Sequence, residues 1–278
     1  MKRGFEFIIY AVIILFFLAR YSNVESGSPR RPAPSRVPAD AAILLPENAA
    51  LPKDISSTVF VDVERTRQNS VGTAFAVDGV GTYVTARHVI EGCSRVSLVN
   101  ARRRVAANLV SKATNRDFAV LRVDGLQAEP FELSLTVPRR GEDGFMMGYP
   151  QGSPADVRAT VIGATVMRTQ GRYSARERVV AWVERERRPG FGGSLGGISG
   201  GPVLDSSGRI VGTVVAGAPR RGRVYTTNPK VFSETGLDVL SVSNSTPAEA
   251  RLTKQNFDQE AIKYRRQMRI AQVYCEVS

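Results

Sequence analysis

The sequence predicts an all-β fold for most of the chain, and three observations support this. Short runs of β-branched and aromatic residues recur from Thr58 onward, several of them alternating between apolar and polar positions. Glycine-containing turns separate the runs, as Asp78-Gly79 does after the run that ends at Val77. No long helical pattern interrupts them before residue 245. Many short strands at close spacing are typical of a barrel or a sandwich.

The predicted strands follow one another at short intervals. The run from Thr58 to Val63 alternates, and the run from Gly72 to Val77 leads through its tight turn into the next. The strands are expected at 58–63, 72–77, 82–85, 96–99, 118–123, 131–135, 145–147, 159–167, 179–183, 203–204, 210–215 and 224–225. The turn-rich segment 138–144 falls between two groups of strands, which predicts a junction between two halves of the domain.

A C-terminal helix and a short final strand are predicted after the β-rich region. Ser245 and Thr246 provide an N-cap that Pro247 follows in the first helical turn. Apolar side chains then recur at helical spacing at Phe257, Ala261, Tyr264 and Met268. We expect this face to pack on the β domain as core. Alternation at Ala271, Val273, Cys275 and Val277 predicts the final strand.

The N-terminus has the pattern of an export segment. Lys2 and Arg3 precede an unbroken apolar run from Phe7 to Ala19, which spans only ~20 Å as a helix, against a hydrocarbon core of ~30 Å. Residues 1–26 are therefore a cleaved signal peptide, or a short membrane anchor through residues 5–19, and both remain open. Either places the rest of the chain in the periplasm or another extracytoplasmic space. Residues 27–54 are rich in Pro, Ser, Ala and Arg, which predicts a linker.

Charge and cysteine content limit the partners. The net charge of +12 is scattered along the chain without a long basic run, which indicates a solvated basic surface and no nucleic-acid partner. Cys93 and Cys275 form a disulfide in an exported protein or remain two buried thiols. Two cysteines and one histidine cannot supply four zinc ligands, so no metal and no cofactor are expected.

The segment Gly196–Pro202 (GGISGGP) carries the strongest chemical signal. Small residues around Ser199 allow a tight turn that exposes its hydroxyl. A serine becomes a nucleophile when a base removes its proton and N–H donors stabilise the oxyanion. The backbone N–H groups of Gly197 and Ser199 are the candidate donors. On its own, this motif is also compatible with a glycine-rich turn between strands.

His88 and Asp117 supply the other two functions that such a serine needs. His88 is the single histidine of the chain, and an imidazole accepts and returns a proton near neutral pH. Asp117 precedes an apolar strand, and a carboxylate there can fix the imidazole tautomer. Each residue alone is ordinary, because lone histidines are often structural and Asp commonly begins a strand.

Together these segments resemble the trypsin-like serine proteases, closest in style to the bacterial HtrA-type branch without a PDZ domain. That family has a Thr-Ala-x-His string, an Asp-x-Ala-Val-Leu string and a Gly-x-Ser-Gly-Gly-Pro string in this order. They match Thr85–His88, Asp117–Leu121 and Gly197–Pro202, with 29 residues from His88 to Asp117 and 82 from Asp117 to Ser199. The strings Gly72–Phe75 and Gly148–Pro150 are also similar.

The resemblance implies two six-stranded antiparallel β-barrels with a catalytic cleft between them. It implies a protease domain at 55–245, with one barrel at about 55–137 and the second at about 143–245, and with residues 246–278 packed on both. His88, Asp117 and Ser199 would form the triad of a serine endopeptidase that acts on proteins or peptides through an acyl-enzyme. Gly197 and Ser199 would form the oxyanion hole.

Three departures from the family narrow the expectation. Ile198 stands where digestive members have Asp, so activation by a newly cut N-terminus is not expected. The chain after the barrels is too short for a PDZ domain. The substrate pocket is expected at Gly193, Val215 and Gly217, and without a carboxylate there we expect cleavage after small or medium apolar residues.

Three other classes of protein remain as alternatives at this point. One is a catalytically silent protein of the same fold that binds at the cell envelope. The others are an esterase with the same acyl chemistry and a basic surface-binding protein.

Overall fold

A computed structural model describes residues 47–52, 57–65, 68–100, 103–218, 222–237 and 251–278. The predicted signal or anchor, most of the linker and the predicted helix cap at 245–247 lie outside these residues. Within the described segments, no helix has both the length and the apolar character needed to cross a membrane.

Six strands close the first barrel. They are Ser70–Ala76 (β2), Thr82–Thr85 (β3), Arg95–Asn100 (β4), Arg103–Lys112 (β5), Ala119–Arg122 (β6) and Ile270–Glu276 (β13). Their ring order is β13, β2, β3, β6, β5 and β4, and every neighbouring pair is antiparallel. A cluster that includes Tyr83, Leu98, Leu121 and Val273 fills its interior.

Six further strands form a second ring. They are Asp143–Gly148 (β7), Ala155–Gly171 (β8), Ala175–Arg188 (β9), Pro202–Leu204 (β10), Ile210–Ala218 (β11) and Arg223–Thr227 (β12). Their order is β8, β7, β10, β11, β12 and β9, and the pairing of β8 with β9 closes the ring. Trp182, Val157, Val203 and Val224 lie in its buried interior. The predicted all-β class with two barrels is confirmed.

The described residues contain little helix. Three α-helices lie among them, at Arg87–Ile90 (α1), Lys230–Glu234 (α2) and Phe257–Arg266 (α3), together with a 3₁₀ turn at Pro150–Gly152. A third cluster joins the two barrels to α2 and α3 through aromatic side chains, which are Phe75, Phe118, Phe131, Phe145, Phe232, Phe257 and Tyr264. The predicted C-terminal helix is therefore present, and its apolar face is buried against both barrels.

Strand membership differs from the predicted division in two places. Strand β1 (Thr58–Val63), expected in the first barrel, runs parallel to β8 outside the second ring. The final strand β13, expected only to pack on the barrels, is the sixth strand of the first barrel. The physical reason is that β2 to β6 leave two open edges, and β13 satisfies both by pairing with β2 and β4.

Three local predictions also need correction. Strand β5 (Arg103–Lys112) was not predicted, because most of its side chains are exposed and few of them, Val105 and Ala107, pack on the barrel core. The predicted strand 131–135 makes only a single bridge, between Leu133 and Ile210. The described helix α3 begins at Phe257, and Met268 lies beyond its end with a positive φ of 60°.

A disulfide joins Cys93 to Cys275, with the two Cα atoms 5.4 Å apart. Cys93 follows helix α1, and its backbone N–H donates to Ile90 O. Cys275 lies on β13, in register with Val96 of β4. The bond therefore fastens the closing strand of the first barrel beside the segment that carries His88.

Candidate active site

His88 and Asp117 form a tightly bonded pair in the first barrel. His88 lies in α1, directly after β3, and Asp117 lies just before β6. One Asp117 carboxylate oxygen accepts the His88 backbone N–H at 2.9 Å, and the other lies 2.6 Å from His88 Nδ1. The Asp117 side chain is 3% exposed and that of His88 is 24% exposed. This geometry fixes the imidazole ring and leaves Nε2 to face away from Asp117.

The pair is electrostatically matched. Burial lowers the pKa of His88, but the charge and hydrogen bond of Asp117 outweigh it, so that the pKa is raised overall. Burial in turn raises the pKa of Asp117, but the attraction and hydrogen bonds of His88 outweigh this and lower it. Asp117 therefore remains ionised and stabilises the charged form of the imidazole.

The tip of the β8–β9 hairpin reaches from the second ring over this pair. Arg172 donates to Glu91 O at 2.7 Å, and the Arg87 guanidinium lies 4.1 Å from the centre of the Tyr173 ring. The Tyr173 hydroxyl is near enough to Asp117 to lower that carboxyl's pKa, although it falls short of a well-formed hydrogen bond. The hairpin thus covers the inner side of Asp117.

Ser199 lies in a tight turn that docks on the first barrel. Its carbonyl accepts the Thr73 backbone N–H at 2.8 Å. Gly200 has φ +84°, and a Cβ there would overlap Thr73 O and Thr85 Oγ1. The serine turn can therefore approach the strand leading into His88 only because residue 200 is glycine.

The two candidate oxyanion donors are held by a second set of contacts. Gly197 has φ +102°, and its carbonyl accepts the Thr73 hydroxyl at 2.8 Å. The same hydroxyl accepts the Tyr149 backbone N–H at 3.1 Å. Among the described residues, neither Gly197 N–H nor Ser199 N–H donates to a protein acceptor. Both are therefore available to bind an anion.

The structure does not join all three predicted triad residues by hydrogen bonds. His88 and Asp117 are bonded to each other, whereas no hydrogen bond links Ser199 Oγ to His88 within the described segments. Backbone contacts bring the Ser199 turn to β2 and β3, which precede α1. The nucleophile and the base candidates thus lie on adjoining segments, without a preformed Ser–His bond.

The geometry agrees with a comparison to known families. Residues 72–212, which is half of the chain, match the trypsin-like peptidase domain family. The chain belongs to the trypsin-like peptidase family. This confirms the predicted resemblance to trypsin-like proteases.

Individual relatives are distant. Protease Do-like 5, chloroplastic, of Arabidopsis thaliana is 28% identical over 194 residues, which cover 63% of this chain and 57% of its own. Serine protease Rv3671c of Mycobacterium tuberculosis is 27% identical over 159 residues, which cover 53% of this chain and 36% of its own. The crystal structure of the active form of Rv3671c protease has a TM-score of 0.51 at 20% identity, covering 64% of this chain and 75% of that one.

These relatives support the assignment of the fold and the family, and each of them is matched over part of its length. The chain spans between 26% and 57% of the length of the curated relatives that it matches. The structural likeness at 20% identity supports the trypsin-like fold that the two rings display.

The predicted pocket residues of this trypsin-like domain are not gathered in one place by described contacts. Gly193 is exposed and faces the Gln151 side chain. Gly217 lies beside Leu195. The Val215 side chain is instead 2% exposed, in a cluster with Tyr225. A cavity of about 420 Å³ lies elsewhere, next to Arg116 and Lys230.

Sequence reasoning missed three residues that hold the site: Thr73, Tyr173 and Glu177. Thr73 was inside the string Gly72–Phe75, so its family-like context was the available signal. Tyr173 and Glu177 are distant in sequence from Asp117 and belong to the opposite barrel. No spacing rule along the chain connects them.

Proposed function

We propose that the protein is a serine endopeptidase in which Ser199 is the nucleophile, His88 the general base and Asp117 the residue that orients His88. The observation that carries the proposal is the bonded His88–Asp117 pair beside a serine turn with two unused backbone donors. Membership of the trypsin-like peptidase family supports it.

The chemistry follows from the placement of the groups. Ser199 Oγ attacks the carbonyl carbon of the scissile peptide, and His88 Nε2 takes the hydroxyl proton. The N–H groups of Gly197 and Ser199 stabilise the oxyanion. His88 then gives the proton to the leaving amine, which leaves an acyl-enzyme on Ser199. A water molecule, deprotonated by His88, hydrolyses that ester and restores the hydroxyl.

The Ser199–His88 contact must form when substrate binds. Hydrogen bonds of this kind are often long in ligand-free enzymes and tighten in the complex. Ser199 is only partly buried, and its side chain can rotate without moving the turn. A rotamer change at Ser199 is therefore the smallest rearrangement that completes the triad.

A peptide substrate can add to the free part of β11. Strand β10 ends at Leu204 and pairs with β11 only as far as Thr213, so among the described residues no strand adjoins that side of β11 after Val214. An extended peptide there gains backbone hydrogen bonds next to Ser199. Gly193, Gly217 and the backbone of Val215 would surround the residue before the cleaved bond. Leu195 beside Gly217 favours a small or medium apolar side chain there.

We also infer an exported location, periplasmic or otherwise extracytoplasmic. The apolar run at 7–19 supports export, by a cleaved signal or an anchor. The Cys93–Cys275 disulfide fits an oxidising compartment. Protease accessibility of the chain in intact cells and in lysed cells tests this location.

Labelling by a fluorophosphonate probe tests the proposed activity. The wild-type chain is expected to be labelled covalently at Ser199, and Ser199→Ala should abolish the label. A peptide library then distinguishes an endopeptidase from an esterase that only cleaves activated esters. A folded wild-type chain that takes up no label, and cleaves no peptide, would instead indicate a silent binding protein.

A further inference from the structure

A second buried carboxyl group lies directly behind Asp117. Glu177, on β9 of the second ring, is 4% exposed, and its Oε1 accepts the Asp117 backbone N–H at 2.8 Å. Its Oε2 has no hydrogen-bond partner in the described part of the chain. A buried carboxyl with one unused oxygen is energetically costly. The catalytic steps proposed above give it no role.

Asp117 is thereby held from two sides. Its carboxylate is bonded to the backbone and the imidazole of His88, and its backbone N–H is bonded to Glu177. The first set of contacts lies within one barrel and the second reaches across from the other. Because Glu177 belongs to the other barrel, a shift of Asp117 within the first barrel would lengthen or break this contact.

Three charged groups of the first barrel, Asp117, Arg116 and His88, influence the pKa of Glu177. Burial raises the pKa of Glu177 most strongly, and the neighbouring Asp117 carboxylate raises it further. The bond from the Asp117 N–H, Arg116 and His88 lower it, which leaves a value of about 7. Arg116 is itself paired with Glu234 of α2. The Tyr173 hydroxyl lies close enough to interact electrostatically with the carboxyl groups of both Asp117 and Glu177.

We propose that Glu177 is a positioning residue, which holds Asp117 from the second barrel and places a second titratable carboxyl group beside the His88–Asp117 pair. The role of Asp117 rests on the proposed peptidase function, while the charge effect concerns His88 whatever reaction the site performs. When Glu177 loses its proton, a second negative charge appears beside the pair. This charge stabilises the protonated imidazole, so His88 and Glu177 titrate as a coupled set.

NMR titration of the full-length chain tests this directly. His88 is the single histidine, so its imidazole resonances need no assignment by mutation. Glu177→Gln keeps the oxygen that accepts the Asp117 N–H and removes the charge. We expect it to lower the midpoint of the His88 titration by about half a unit or more. Glu186→Gln, the same change on the same strand at a partly exposed ion pair, is the matched control and should leave the midpoint in place.

The positioning role is tested by labelling rates as a function of pH. Glu177→Gln should move the rise of the fluorophosphonate labelling rate to lower pH. Glu177→Ala also removes the acceptor, so its maximum rate should fall about tenfold below that of the Gln variant. A uniform structural defect would lower the rate without moving the pH at which it rises.

Two results would overturn the proposal. One is a His88 titration that is the same in wild type, Glu177→Gln and Glu186→Gln. The other is equal maximum rates in the Gln and Ala variants. If the wild type takes up no label, the peptidase function fails, and the His88 titration still decides whether Glu177 sets its charge environment. Because Gln has nearly the same shape as Glu, that variant remains informative even if Ala does not fold.

Discussion

Breaking the Cys93–Cys275 disulfide should destabilise the protein strongly. The bond closes a loop with a sequence separation of 182 residues. In the chain-entropy description the stabilisation is about 298 K × (2.1 + 1.5R ln 182) cal/mol/K, or ~5 kcal/mol. For a domain of this size, each kcal/mol corresponds to roughly 2–4 °C, so the melting temperature should fall by roughly 10–20 °C.

The native structure adds a local reason for this loss. The bond connects β13 to the segment that follows α1, and β13 is the strand that closes the first barrel. Without the bond, the noncovalent contacts of β13 remain, which are its pairing with β2 and β4 and the packing of its buried side chains. We therefore expect fraying of the C-terminus before the rest unfolds, and a faster amide exchange on β13.

Thermal unfolding with and without reductant measures the effect. The Cys93→Ser/Cys275→Ser double variant should melt at the temperature of the reduced wild type, and reductant should not change it further. Thiol titration establishes that the bond has been reduced in each sample. Equal melting temperatures for oxidised and fully reduced wild type would refute the loop-entropy reasoning.

Three further outcomes are expected. Thr73→Val leaves Gly197 O and Tyr149 N–H without a partner, which costs about 1–3 kcal/mol of stability for each group. The fluorophosphonate labelling rate should therefore fall tenfold or more, whereas Thr73→Ser, which keeps the hydroxyl, should retain most of the rate. Arg265→Ala leaves Asp156 buried without its partner, which should cost about 3–5 kcal/mol in urea unfolding; a loss under 1 kcal/mol would contradict this. Asp117 raises the pKa of His88, so peptidase activity should increase with pH, and the midpoint of that increase should lie above ~6.5. An activity profile that is flat from about pH 5 to 8 would exclude His88 as the base.

The proposed catalytic residues were predictable because each lies in a short string with its own local signal. Gly200, for example, predicts a tight turn from the sequence, and the structure shows why a glycine is needed there: its φ is positive and its close contacts leave no room for a side chain. The two barrels followed from the family resemblance that these strings carry. These strings are local in sequence, so they can be recognised without knowledge of the tertiary structure.

The parts that could not be predicted depend on contacts between distant segments. Glu177 meets Asp117 across 60 residues of sequence, and β13 meets β2 across nearly 200. Strand β5 was missed for a different reason. Val105 and Ala107 pack on the core of the first barrel, but the exposed apolar residues Ala106, Leu109 and Val110 break the alternation of apolar and polar positions. The pocket prediction included Val215, whose side chain faces a buried cluster, so that only its backbone can line the proposed pocket.

The C-terminal elements α3 and β13 support the residues that position the proposed catalytic site. Strand β2 carries Thr73, whose side chain and backbone hold Gly197 and Ser199, and one edge of β2 is paired along its length with β13. Gln272 of β13 lies directly opposite Thr73 in this pairing. On the other barrel, Arg265 of α3 donates to Gly148 O, next to the Tyr149 N–H that Thr73 accepts. The last residues of the chain therefore support the strand and the loop between which the serine turn is held, and the position of Ser199 relative to His88 depends on both.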